Sequence, residues 1–139
     1  MKSSTIRTLI AAAALAVAAG TASAQTYKAE IPMSFRAGNK VMAPGAYEIK
    51  VSVSSAGSSQ VLVKNVDSGS MVFLLPHLGD YAPAAWQSAG KPVFAFECAE
   101  GHCALRTIWT GQDLLTYQFS TPHADKQLAE VLVPLTRSE

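Results

Sequence analysis

Cys98 and Cys103 are the only cysteines in the chain. Two thiols at that spacing admit three chemistries: a structural disulfide, a redox pair, or half of a metal site. A metal site would recruit His102, yet two thiolates and one imidazole still lack the fourth ligand of a tetrahedral zinc set. Haem attachment needs a histidine directly after the second cysteine, where Ala104 stands. A disulfide closing a loop of about six residues contributes about 2 kcal/mol by chain entropy, and this staple is the expectation.

Other candidate groups are more scattered. His77, His102 and His123 fall in three predicted loops, where histidines are ordinarily solvated, and a zinc or copper site would need those loops to converge. Ser58, Ser59, Ser68 and Ser70 flank turns. None stands in the Gly-x-Ser-x-Gly context of a nucleophile elbow. Asp80, Glu97 and Glu100 supply carboxylates for glycoside chemistry, but Glu97 points outward on the hairpin derived below. Tyr81 and Trp86, in an irregular stretch, are the candidates for contact with a ligand or partner, because amphipathic aromatics on loops make such contacts. The competing role for both is to fold back over the open end of a barrel.

The elements that must position these groups begin after a targeting segment. Lys2 and Arg7 precede an uncharged apolar stretch, residues 9–19, and an Ala-x-Ala site at residues 22–24. That order is the order of a secretory signal peptide, cleaved after Ala24 to leave Gln25 first. The apolar stretch is too short for a membrane span, which needs roughly 20 residues, and no cysteine follows the cleavage point to take a lipid. Export to the periplasm or beyond is the expectation, and it favours an oxidised cysteine pair.

Residues 25–139 fit one domain. They carry nine basic against ten acidic residues. Without a basic cluster, nucleic-acid binding and attraction to anionic membranes lack an electrostatic basis.

Residues 27–35 alternate, with Tyr27, Ala29, Ile31, Met33 and Phe35 on one face. This predicts a strand with one wet side, and Pro32 assigns it to a sheet edge or a bulge. Gly38 and Asn39 then turn the chain, and Tyr47, Ile49, Val51 and Val53 mark a second strand. Residues 60–66 make a third, Asp67, Ser68 and Gly69 a turn, and residues 71–75 a short apolar run. Residues 76–92 lose all periodicity and read as the longest loop.

Residues 93–98 and 103–109 form the clearest hairpin. Facing Cys98 with Cys103 sets Phe96 against Leu105 and Phe94 against Thr107, with Phe94, Phe96, Leu105 and Trp109 on one face. Leu115, Tyr117 and Phe119 mark a further strand. The tail from Ser120 predicts one or two helical turns starting near Thr121, then a last strand over residues 130–135.

The segments Ile31-Pro-Met-Ser-Phe35, Gly38-Asn39-Lys40 and Ala43-Pro44-Gly45-Ala46-Tyr47 resemble a pattern in small exported proteins of soil and environmental bacteria, Pro-Phe-x-Phe followed by Gly-x-x-x-Leu-Pro-Ala-Gly-x-Tyr. Val61 to Val63 with Asn65 and Asp67, Phe94-Ala-Phe96, and Leu105 to Trp109 with Gly111 extend the likeness over residues 27–119. Met42-Ala43-Pro44-Gly45 replaces Leu-Pro-Ala-Gly, and the cysteine pair is an addition. The resemblance implies an exported β domain and carries over no site residue, since the family has no assigned activity.

The expected architecture is therefore all-β: an antiparallel sandwich or small barrel of about seven or eight strands. The expected role is a non-enzymatic binding or envelope-associated module with no cofactor. Its partner would be a protein or a small apolar ligand. Three alternatives stand beside it: an assembly subunit that pairs through the strand at residues 27–35, an apolar-ligand barrel, and a hydrolase or redox enzyme.

Overall fold

The computed structural model describes residues 23–54, 56–120 and 129–138. Residues 1–22 of the signal segment, the helix expected near Thr121, and His123 lie outside the described residues. Among the described residues are twelve strands: β1 (Ser23–Ile31), β2 (Phe35–Ala37), β3 (Lys40–Met42), β4 (Gly45–Val53), β5 (Ser59–Asn65), β6 (Met71–Leu74), β7 (His77–Tyr81), β8 (Val93–Ala99), β9 (His102–Trp109), β10 (Leu115–Gln118), β11 (Ala129–Pro134) and β12 (Thr136–Ser138). One short helix, α1 (Ala84–Ala89), sits between β7 and β8. The strands beyond those read from sequence are β7, in the stretch expected to be loop, and β2, β3 and β12, each of three residues. Strands that short give no readable alternation.

The strands form two open sheets, so the fold is a sandwich and not a closed barrel. The first runs β12-β1-β4-β5-β6 and the second β11-β8-β9-β10-β7, with the β2–β3 hairpin beside β9. Among the described residues all pairings are antiparallel except a single parallel bridge, Arg36 to Ala104. Alternation supplies the core from both sheets: Tyr27, Ile31, Tyr47, Ile49, Val61 and Val63 from the first, Phe35, Phe94, Phe96, Leu105 and Ile108 from the second. Phe35 meets Tyr47 at 5.2 Å and Phe96 at 5.3 Å, both edge-to-face, and so joins the two layers. The outer face of the first sheet is polar, with Lys28 opposite Glu48 and Glu48 opposite Lys64.

The strand expected over residues 27–35 divides in two. β1 ends at Ile31 and the chain crosses to the second sheet before β2. Pro32 lies in that crossing, where no ladder requires its missing N–H. β1 is also not an edge, since β4 pairs along its whole length and β12 along residues 26–28. The true edges of the first sheet are β12 and β6.

The motif around Tyr47 is structural. Its phenol donates to the carbonyl of Ala43 across the turn that precedes β4. Gly45, at φ 149°, keeps the backbone close to Asn65. Asn65 is buried, and its Oδ1 accepts from the N–H groups of Asp67 and Ser68, both at 3.0 Å. That side chain fixes the β5–β6 turn, which Gly69 completes at φ 75°.

Tyr27 is almost fully buried at one end of the core. Burial first of all raises its phenol above the ordinary 10.0; Arg137 opposes the shift, and Asp113 and Tyr117 add to it. A raised folded-state value gives stability that is complete below pH 10 and declines as pH climbs toward the folded value. The expected result is a loss of stability in urea titrations as pH rises above 10 that is shallower in Tyr27→Phe. Equal slopes in the two proteins would remove Tyr27 as the cause.

Candidate functional site

The hairpin of β8 and β9 keeps Cys98 opposite Cys103 and Phe96 opposite Leu105, and the two sulfurs are bonded. Beyond that point the expected register fails. A bulge places Arg106 as an extra residue, so that Ala95 faces Thr107 and Phe94 faces Ile108. Ile108, not Trp109, therefore joins Phe94, Phe96 and Leu105 in the core. Trp109 and Thr107 turn to the outer face of the second sheet. Both remain buried there, because something covers them.

The cover comes from the stretch expected to be loop. Residues 76–92 contain β7, which pairs with β10, and α1. Pro83 precedes the helix and Gly90, at φ 65°, ends it. The Ala82 N–H donates to the Leu114 carbonyl at 3.0 Å, and Gln87 Nε2 donates back to the Ala82 carbonyl at 2.7 Å. This anchoring holds Trp86 over Trp109, with ring centroids 6.5 Å apart and planes tilted by 36°. Trp109 is itself fixed, its indole N–H donating to the Asp113 carbonyl at 2.7 Å.

A groove of about 240 Å³ runs along the outer face beside this cover. Its floor is a row across three strands, Ala95 on β8, Thr107 on β9 and Gln118 on β10, which face one another in register. One wall carries Asp80, Tyr81, Pro83 and Trp86, and the far side carries Glu97, Arg106 and Glu130. Thr116 donates to the Asp80 carbonyl at 3.0 Å and ties β10 to β7. Gly79 is needed in β7 because a Cβ there would lie 2.4 Å from the Gln118 side chain.

Tyr81 and Trp86, the two residues singled out from sequence, thus line the same groove. Trp86 is half-buried, whereas Tyr81 is 70% exposed. They cover a sheet face rather than a barrel mouth. Sequence reasoning missed Thr107, Gln118, Arg106 and Glu130 as neighbours of these aromatics, since they come from three other strands. Glu97 points outward as expected and lies 3.2 Å from the Arg106 guanidinium. Glu100 is in the hairpin turn, away from Asp80, so the three carboxylates considered from sequence do not form one set. His77 and His102 stand on β7 and β9 rather than in loops. Among the described residues no three His, Cys, Asp or Glu side chains are grouped to hold a metal ion. No helix among them is long and apolar enough to cross a membrane.

Fold and site together define a disulfide-pinned β-sandwich with an aromatic-walled groove on the outer face of its second sheet. Comparison with known protein families, curated proteins and solved structures found no match.

Proposed function

We propose that this protein is an exported, non-enzymatic binding module that receives its ligand or partner in the groove beside Trp86. Export rests on the signal-type order of residues 1–24 and agrees with the disulfide. The observation that carries the binding role is the pairing of Trp86, packed on Trp109, with an exposed Tyr81 along one groove. Among the described residues that line that surface there is no serine, cysteine or histidine.

The test is intact-mass spectrometry of the protein taken from its native envelope fraction, once denatured and once under non-denaturing conditions. The expected denatured mass is that of residues 25–139 less two hydrogens, and the expected native mass carries an addition that Trp86→Ala loses. An unprocessed denatured mass would refute export. A bare native monomer would refute tight binding.

A second reading, an assembly subunit, is favoured by β6 and not by β1. β6 is an edge strand with Met71 and Phe73 about half exposed and no charged side chain of its own. If that edge pairs with other chains, the wild type shows concentration-dependent oligomers in size-exclusion chromatography and Phe73→Lys stays monomeric. A monomeric wild type at all concentrations would discard this reading.

A further inference from the structure

We propose that cleavage after Ala24 has to come before β1 docks on β4, so that a chain which folds first locks itself in the uncleaved form. This rests on the export reading of residues 1–24. The processing step is hydrolysis of the Ala24–Gln25 amide: water gives its hydroxyl to the Ala24 carbonyl carbon and its proton to the new Gln25 amine. In the folded chain that bond does not lie ahead of the domain. It lies inside β1, where Ser23, Ala24 and Gln25 pair in register with Val53, Ser52 and Val51 of β4.

A peptidase that reads an extended segment holds it by main-chain hydrogen bonds and by pockets for alternate side chains. Here β4 already takes one edge of the segment. On the other edge β12 begins at Thr26, which pairs with Ser138 as well as with Lys50, so the chain just past the bond is enclosed on both edges. The side chain that follows the bond is held too. Gln25 Oε1 accepts from the Tyr27 phenol, and Gln25 Nε2 donates to Gln112 Oε1 at 3.5 Å. Tyr27 belongs to the core and is 1% exposed, so peeling β1 back past Thr26 costs a contact with a core side chain as well as the strand pairs. Ala24 itself is exposed; the fold withholds the backbone of the site and not its alanine.

Chain length gives a second, independent reason. Only residues 20–22 separate the apolar stretch, residues 9–19, from the start of β1, and three extended residues reach about 10 Å. A folded domain would lie against whatever surface holds the apolar stretch, without slack to thread its strand into a cleft.

The experiment follows cleavage of three full-length precursors by detergent-solubilised signal peptidase, read by intact-mass spectrometry. The first is the wild type, folded and oxidised beforehand. The second carries Val51→Pro, which removes a ladder donor directly opposite Gln25; whether it unfolds the domain or only undocks β1, the bond is free. The third carries a spacer of about six glycines and serines between Ala24 and Gln25, which moves the bond off the sheet and leaves residues 25–139 unaltered. Cleavage follows the population of the peeled state, so the wild type is expected to be cut at least about tenfold more slowly than Val51→Pro. The folded spacer precursor should match Val51→Pro. Equal rates for wild type and Val51→Pro overturn the lock while the export reading stands. Slow cleavage of the spacer precursor also overturns it, because the hindrance then lies outside β1. Failure of Val51→Pro and the spacer precursor to be cut after Ala24 overturns the export reading, and the lock with it.

Discussion

Replacing Phe96 by alanine is expected to destabilise the protein by about 3–5 kcal/mol, read as a lowered urea midpoint at unchanged slope. Phe96 has no exposed surface. It packs edge-to-face on Phe94 at 5.9 Å and on Phe35 at 5.3 Å, and Phe35 in turn meets Tyr47 of the opposite sheet. Truncation removes the middle of a four-ring chain that ties the two layers together, and rigid neighbours on regular strands cannot collapse into the space left. Against a total of about 5–15 kcal/mol for a domain, this is a large fraction. Phe73→Ala is the control: Phe73 is 59% exposed on the edge strand β6, so its truncation should stay within about 0.5 kcal/mol. Similar losses for both would mean that the four-ring chain does not dominate the core.

The reverse of the sheet that carries Phe96 is the floor of the groove, and here the sequence was only partly legible. β4, β5 and the turn at Asn65 follow from local alternation and turn chemistry, and the structure agrees with all three. Leu105, Thr107 and Trp109 also alternate faultlessly, yet the bulge at Arg106 shifts the ladder by one. The clue lay in the pairing rather than in the strand. A regular ladder anchored at Cys98 and Cys103 sets Phe94 against a threonine and leaves Ile108 outside, an inversion that one extra residue corrects. β7 was hidden for another reason. Gly79 gives up a side chain so that Gln118 can lie against it, which erases the strand pattern. The prolines and glycines of residues 76–92 read as loop, although Pro83 and Gly90 are a helix start and stop. Which strand is central and which is an edge is set by distant partners such as β12. Local alternation is silent on it, and Pro32, which suggests an edge or a bulge for residues 27–35, instead marks the crossing between the sheets.

Removing the disulfide by exchanging both cysteines for alanine is expected to cost about 2 kcal/mol from the loop-closure term, with the hairpin still formed. Seven cross-strand pairs hold β8 to β9, and both cysteines lie against the core, so the strands do not depend on the bond for their register. The turn between them does carry a cost. Only Glu100 and Gly101 connect the strands, and both have positive φ, 53° and 81°, as a tight two-residue hairpin turn of right-handed twist requires. For glutamate that conformation is unfavourable by roughly 1–2 kcal/mol, and the staple offsets it by denying the unfolded chain its freedom at this point. Glu100→Asn places a residue that tolerates the left-handed region before Gly101. In the cysteine-free protein it should recover roughly 1 kcal/mol, visible as a partial return of the urea midpoint. Equal stability of oxidised and cysteine-free proteins would show that the unfolded hairpin is already restrained without the bond. A Glu100→Asn variant no more stable than its parent would show that the turn is not strained, and the staple would then act on the unfolded chain alone.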